Sequence, residues 1–225
     1  MVKIGVLGGI GPESSARYYL KFIERLQDSG YIRSNQDYPQ IIINSIPAPD
    51  ITSKSSDQED MQQYIRGLEE LNVHQPDFIA IVCNSAYVYS EELRKHSTAR
   101  ILDLGNAVRN RIFVSNRKKV GILGTPNTVL NHLYRVDGIE YVNPTSEELA
   151  VLSGAILNFN NGIRKEEQAR KVMEVASGCI GRGAELIVYA CTEISLMLSN
   201  KIYPHLDTLD VLVDLTFENY SASKA

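Results

Sequence analysis

Val2-Lys3-Ile4-Gly5-Val6-Leu7-Gly8-Gly9 stands at the start of the chain, and Lys118-Lys119-Val120-Gly121-Ile122-Leu123-Gly124-Thr125 repeats it near the middle. Each stretch reads as a short buried strand that runs into a glycine turn, with a proline soon after: Pro12 in one, Pro126 in the other. Proline is favoured in the first turn of a helix, where the N–H it lacks has no partner to lose. Each stretch therefore predicts strand, turn and helix, the opening of a βα unit. A second pair of landmarks agrees. Phe78-Ile79-Ala80-Ile81-Val82 leads into Cys83-Asn84-Ser85-Ala86, and Leu186-Ile187-Val188-Tyr189-Ala190 leads into Cys191-Thr192-Glu193-Ile194. Gly5 and Gly121 are 116 residues apart and the two cysteines 108, so both landmarks recur at nearly one offset, as two similar halves would require.

Between the landmarks, strand and helix patterns alternate. Ala16, Tyr19, Leu20, Ile23 and Leu26 have helical spacing and predict a helix over 14–26. The β-branched run 40–46 predicts a strand, stopped by Pro47 and Pro49. A helix over 56–71 follows, with Met61, Ile65, Leu68 and Leu71 inward, then a short helix through Glu92 and Leu93, a weak strand over 100–104 and a helix over 106–113. The second half predicts a helix near 129–134 and a strand over 140–142. Helices over 146–159 and 165–180 come next, then a closing helix over 206–220. Ser146, or Thr145 beside it, with Glu147 and Glu148 in the first turn, reads as a capping box. Alternation without hairpin signals implies mostly parallel sheets. The expected fold class is α/β: two pseudo-symmetric domains, each a small, mostly parallel sheet flanked by helices, with the active site in the cleft between them. One domain takes 1–105 plus 206–225 and carries Cys83; the other takes 106–205 and carries Cys191.

Composition narrows the function. At 225 residues, 44% hydrophobic and 22% charged, the chain has the make-up of an ordinary globular protein. A net charge of −4 with scattered basic residues gives no reason to expect nucleic acid or a membrane surface as partner. The N-terminus enters a strand pattern at once, so no signal peptide and a cytoplasmic location are expected. Three cysteines, an odd number, argue against a disulfide framework. There is no CxxC and the four histidines lack ligand spacing, so no metal is expected.

In open α/β sheets, ligands bind beyond the carboxyl ends of the strands, where both Cys83 and Cys191 would emerge. Gly5-x-x-Gly8-Gly9-x-Gly11 lacks the GxGxxG spacing, and Asn44-Ser45 stand where a dinucleotide fold needs an acidic residue. A turn that approaches a small anion, such as a substrate carboxylate, fits better. Cys179 lies with Val172 and Ala176 on the apolar side of its helix and reads as a core residue. Either of the other thiols alone could be core too. As a pair, each followed by polar residues that are costly to bury without partners, they point to a ligand. Asn84 and Thr192 have a simpler reading as caps of the helices that follow them.

Gly8-Gly9-Ile10-Gly11-Pro12-Glu13, Cys83-Asn84-Ser85-Ala86 and Ala190-Cys191-Thr192-Glu193 resemble the aspartate/glutamate racemase superfamily, its aspartate racemase branch in particular. The resemblance extends over the whole chain, including Pro49-Asp50 and Gly124-Thr125. It implies a two-base racemase that needs no cofactor, interconverts L- and D-aspartate or another small amino acid, and forms a homodimer. By the same resemblance Cys83 and Cys191 are catalytic. Asn84, Ser85 and Thr192 bind the α-carboxylate and amino group, with Gly9, Ile10 and Thr125 nearby and Asp50, Thr52 and Glu193 completing the site.

The chain departs from the pattern at three places. Ile51 stands where an arginine grips the distal carboxylate, Asn160-Asn161-Gly162 where a lysine precedes glycine, and Tyr87 where a histidine is usual. Lys54 or Arg17 is the candidate replacement for the missing cation. Two other readings stand beside racemisation: a cysteine-dependent cis–trans isomerase of a related small acid, and a non-catalytic domain that binds one.

Overall fold

The computed structural model describes residues 1–49, 58–198 and 203–224, so Asp50, Ile51, Thr52 and Lys54 lie outside the described residues. The first half runs β1 (Lys3–Gly8), α1 (Pro12–Asp28), β2 (Gln40–Ser45), α2 (Gln58–Val73), β3 (Phe78–Ile81), a 3-10 helix (Ser85–Tyr89), α3 (Ser90–Lys95), β4 (Arg100–Ile101) and α4 (Leu104–Val114). The second runs β5 (Lys119–Gly124), α5 (Pro126–Leu130), β6 (Glu140–Tyr141), α6 (Ser146–Asn160), α7 (Lys165–Gly181), β7 (Leu186–Ala190), α8 (Thr192–Met197), β8 (His205–Asp207) and α9 (Thr208–Ala222). The described residues form two compact units. One takes the chain up to Leu104 together with the segment from Leu209 onward, and the other takes Gly105–Thr208.

Each unit holds a four-stranded sheet of parallel strands, ordered β2-β1-β3-β4 in one and β6-β5-β7-β8 in the other. The repeat seen in the sequence is a repeat of register. Gly5 lies opposite Ile79, four residues before Cys83; Gly121 lies opposite Ile187, four residues before Cys191. The glycines are needed there. A Cβ on Gly5 would stand 3.0 Å from Ile79 Cγ1, and one on Gly121 would stand 3.0 Å from Ile187 Cδ1. Both isoleucines are fully buried, so each glycine makes room for the branched side chain of the strand beside it.

The two prolines begin α1 and α5, as their missing N–H favours. On α2, Leu68 and Leu71 are fully buried, and a Cβ on Gly67 would come within 2.7 Å of Leu7, so the helix lies close on the sheet. The Thr145 hydroxyl caps α6, with Glu148 bonding back to the Thr145 N–H at 2.8 Å, which selects Thr145 over Ser146 as the N-cap.

Three elements differ from the sequence reading. The stretch 206–220 is not all helix: His205–Asp207 forms a short strand that pairs with β7, and α9 starts only at Thr208. Three residues are too few for an alternating pattern to show. The helix expected near 129–134 begins at Pro126 and stops at Leu130, because Thr125 caps it early and His132 adopts a left-handed φ of 55°. On α1, the buried residues are Ser14, Ser15, Tyr18, Phe22 and Leu26, while Tyr19 and Leu20 are 39% and 51% exposed. The helix is turned away from its most apolar stripe because Ser15 must reach the glycine turn and Tyr18 must reach α9. The Tyr18 and Thr216 hydroxyls meet at 2.8 Å, and Lys21 and Arg25 pair with Asp210 and Asp214 of the same helix. The half-exposed ion pairs add little stability; the buried hydroxyl pair and apolar contacts fix the register of α9 on α1.

Candidate active site

In the first unit, the carboxyl ends of β1, β2 and β3 converge. Backbone bonds Ile46 N–H to Gly8 O at 2.9 Å and Val82 N–H to Leu7 O at 2.9 Å extend the three strands to one level. Gly9 turns the chain there with φ 85°, and a Cβ on it would lie 2.5 Å from the Ile46 backbone. The Gly9 N–H donates to Ser15 Oγ at 2.9 Å, and a Cβ on Gly8 would strike the same hydroxyl. The turn is thus braced from within by Ser15, which sequence reading passed over; the only signal was a serine one turn into a helix that follows a glycine turn. The Gly9 N–H is consequently engaged, so any anion at this turn is bound by other donors. Ile10 is buried at 7% exposure.

Cys83 lies two residues beyond β3, 9% exposed, with Asn84 and Ser85 buried beside it. Asn84 occupies the N-cap of the 3-10 helix in an αR conformation and makes no side-chain cap bond, so capping does not account for its amide. Tyr87 is buried and its hydroxyl accepts the Ile81 N–H at 3.3 Å. Burial pushes this phenol far above its ordinary range, so it stays neutral and cannot do the acid–base work of a histidine. Asn44, in the place of a dinucleotide-binding acid, donates instead to Gly67 O and Glu70 Oε2 at 3.0 and 2.7 Å, joining β2 to α2.

In the second unit, Cys191 follows β7 directly. Its extended backbone (φ −149°, ψ 136°) makes it the N-cap of α8, and Thr192 is the first residue of that helix. Thr192 is therefore not a cap. Its hydroxyl donates to Glu193 Oε2 at 3.2 Å, and the Cys191 thiol donates to the same oxygen at 2.8 Å. Cys191, Thr192 and Glu193 are all buried. Thr125, at the end of β5, uses its hydroxyl to cap α5, accepting from the Thr128 N–H at 3.3 Å. A further pair was not legible in the sequence: Ser195 Oγ donates to Asp207 Oδ2 at 2.5 Å, both buried, at the end of β8. Cys179 is fully buried on the inner face of α7, and burial pushes its thiol up to about 11, as a core residue's would be.

The structure thus gathers Gly9, Ile10, Cys83, Asn84 and Ser85 at the strand ends of one unit, and Thr125, Cys191, Thr192 and Glu193 at those of the other. Asp50, Thr52 and Lys54 fall outside the described residues, and Arg17 is exposed on α1. The α6–α7 turn at Asn160-Asn161-Gly162 carries no cation; the nearest basic residues, Arg164 and Lys165, pair with Glu167 and stack on the Phe159 ring, respectively. Among the described residues no group of three or more His, Cys, Asp or Glu side chains is placed to hold a metal ion, and no helix is long and apolar enough to cross a membrane.

Comparison with known proteins gives consistent matches along nearly the whole chain. A broad-specificity amino-acid racemase of Bacillus subtilis is 28% identical over 228 residues, covering 97% of this chain and 98% of the relative. Among solved structures, the Picrophilus torridus aspartate racemase superposes with a TM-score of 0.78 at 22% identity, covering 97% of this chain and 94% of its own. An aspartate racemase homologue from Pyrococcus horikoshii gives 0.71 at 24% identity, covering 98% and 100%. These structures share the fold. The sequence model of the Asp/Glu/hydantoin racemases matches residues 7–216, and with the paired βα halves and their two strand-end cysteines this chain belongs to that racemase family.

Proposed function

We propose that this chain is an amino-acid racemase that works without a cofactor, with Cys83 and Cys191 as bases on opposite faces of one substrate Cα. The observation that supports this reading is the matched register: two thiols, each four residues beyond an isoleucine that faces an equivalent glycine, each at the carboxyl end of its sheet. An amino-acid Cα–H is a very weak acid. Without an electron sink, the charge that develops on removing its proton must be met by fixed donors, while one base withdraws a proton and a second acid supplies one to the other face. Thiols ionise near enough to neutral pH to fill both roles. Buried Asn84, Ser85 and Thr192, with Ile10 of the glycine turn and with Thr125, supply donors for the substrate's α-carboxylate and acceptors for its ammonium. In this reading the protein is a cytoplasmic homodimer, and light scattering tests the dimer.

Aspartate is the substrate that the resemblance favours, with Asp50 and Thr52 among the substrate-binding residues and Lys54 the candidate partner of its distal carboxylate. Turnover of other amino acids is the second reading. It is favoured by Ile51 and Asn160-Asn161 at the two places where the family pattern has cations, and by the broad specificity named for the Bacillus subtilis relative. The test is incubation of each enantiomer of aspartate, glutamate, asparagine and alanine in D2O without added cofactor. Appearance of the opposite enantiomer with deuterium at Cα supports the reading, and the most rapidly exchanged amino acid identifies the substrate. Exchange that requires pyridoxal phosphate, or no exchange with any of them, rejects it.

A further inference from the structure

At Cys191 the chain turns from the end of β7 into α8, a helix of only six residues. A helix this short does not hold itself in water, so contacts from outside it must fix where it starts. Two consecutive residues at the β8–α9 junction make such contacts, one on each limb of the elbow. On the strand limb, the Thr208 hydroxyl donates to the Tyr189 carbonyl at 2.8 Å, two residues before Cys191. On the helix limb, Asp207 Oδ2 accepts from the Ser195 hydroxyl at 2.5 Å, and the Ser195 N–H donates to the Cys191 carbonyl at 3.1 Å. The register makes this double reach possible: Tyr189 faces Asp207 in the last pair between β7 and β8, so Thr208 follows just where β7 gives way to the elbow. Tyr189, Cys191, Ser195, Asp207 and Thr208 are all buried. Hydrogen bonds are stronger where water is excluded, and one to a carboxylate is roughly twice as strong as one between neutral groups. The corresponding junction of the first sheet is built differently. Ile79 pairs with Ile101 as Ile187 pairs with His205, so Leu104 stands in the place of Thr208 and brings no hydroxyl, and Asp103 pairs with Arg94 of α3.

We propose that Asp207 and Thr208 are positioning residues for Cys191: they clamp its elbow from both limbs, so that the sulfur keeps one place and one direction while it exchanges a proton with the substrate. The catalytic consequence rests on the racemase reading above; the clamp itself does not. Proton transfer needs the reacting atoms aligned and about 3–3.5 Å apart, and a misplacement of about 1 Å costs up to about 100-fold in rate. Substrate binding makes no such demand on the sulfur, so the clamp acts on kcat rather than on KM. It also acts on one base only. When transfer at Cys191 slows, cleavage of the Cα–H bond becomes more fully rate-limiting for the enantiomer whose proton Cys191 removes. For the other enantiomer, from which Cys83 removes the proton, it becomes less so, because delivery from Cys191 is then the slow step.

The test uses three variants of the full chain. Thr208→Val keeps the shape and removes the hydroxyl, Ser195→Ala releases the helix limb, and Thr208→Ser restores the strand-limb bond. Amide hydrogen exchange followed by peptide mass spectrometry reads the clamp without turnover. Wild-type α8 should be protected despite its length. Protection over 192–198 should fall by about three- to tenfold in Thr208→Val and in Ser195→Ala, the effect of losing one buried hydrogen bond on a local opening. Protection of α7 should stay unchanged, and Thr208→Ser should match the wild type. In racemisation, the first two variants should lose about 10–100-fold in kcat with little change in KM, and Thr208→Ser should recover it. The substrate deuterium isotope effect on kcat/KM should become unequal for the two enantiomers. Wild-type α8 exchanging like an open loop overturns the proposal without any variant, and so does unchanged protection in either folded variant. Lowered protection with wild-type kcat, or an isotope effect that changes equally for both enantiomers, also overturns it, since the bonds would then be structural only. A wild type that racemises no amino acid rejects the proposed function instead, and the exchange readout still decides whether the elbow is clamped.

Discussion

Cys83 and Cys191 close two copies of one motif, and the copies agree within the strands and diverge beyond their carboxyl ends. Inside each sheet the match holds to the residue: glycine on the first strand, isoleucine opposite it, cysteine four positions on. Beyond the strands it fails. Gly8 and Pro12 enclose three residues, with Ser15 bracing the turn, whereas Gly124 and Pro126 enclose Thr125 alone, which caps its own helix. After the cysteines come a 3-10 helix in one half and an α-helix in the other. A buried glycine–isoleucine contact admits no substitute of other shape, while a turn or a helix start has many solutions. The repeat therefore supplies two thiols at equal places, and the turns make them unequal.

The strongest way to break the comparison is at the thiols. Cys83→Ala and Cys191→Ala should each lower racemisation by about 10²–10⁴-fold, the usual contribution of a positioned acid or base. A chain in which one of them keeps most of its activity does not use two bases. The packing match is next. Gly5→Val and Gly121→Val should each lose about 1–3 kcal/mol in urea unfolding, from overpacking against Ile79 and Ile187. The second should lose more, because its Cβ also meets the Val142 carbonyl at 3.1 Å, and backbone cannot swing aside. Equal losses would show that both sheets relax alike.

Cys179 has no counterpart in the first half, and it adds a pH dependence that begins at lower pH than that of the buried phenols. Its thiol rises from about 9 to about 11 on folding, since burial disfavours the thiolate. The contribution is whole below pH 9, where the unfolded thiol is also neutral, and is lost as pH rises to 11, as the unfolded chain ionises first. Thermal unfolding should show a decline over that window, and Cys179→Ala should make it shallower, leaving the part above pH 10 that comes from the buried phenols of Tyr18, Tyr87 and Tyr189. The smallest effect lies at the turns. Thr125→Ala removes a side-chain cap and should cost about 1 kcal/mol. Gly11→Ala, at the N-cap of α1, removes no cap bond but forces alanine to φ 74°, for about 1–2 kcal/mol. Similar costs from unrelated causes would confirm that the two helix starts are different solutions to one task.

Much of the fold was legible because its causes are local. Proline at a first helical turn, β-branched runs and the Thr145–Glu148 box act through nearest neighbours, and the structure keeps each of them. The candidate site was legible in its residue types but less so in their uses. Thr125 and Thr192 both read as ligand donors or caps. One is a cap, and the other shares a carboxylate with the Cys191 thiol, a distinction set by where the chain changes from strand to helix.

By itself the sequence determined that there are two βα halves and that a cysteine stands at the end of a strand in each, because hydrophobic period and backbone sterics operate within a few residues. The tertiary structure alone decided the rest. It turned α1 away from its most apolar stripe, since Tyr18 and Phe22 are buried and Ser15 must hold the glycine turn. It made a strand of His205–Asp207, which only β7 can pair. It returned α9 to the first unit through Thr216, Asp210 and Asp214. It also aimed Glu193 at one thiol, because a side chain two residues away meets its neighbour only when the backbone between them bends from extended to helical, as it does at Cys191.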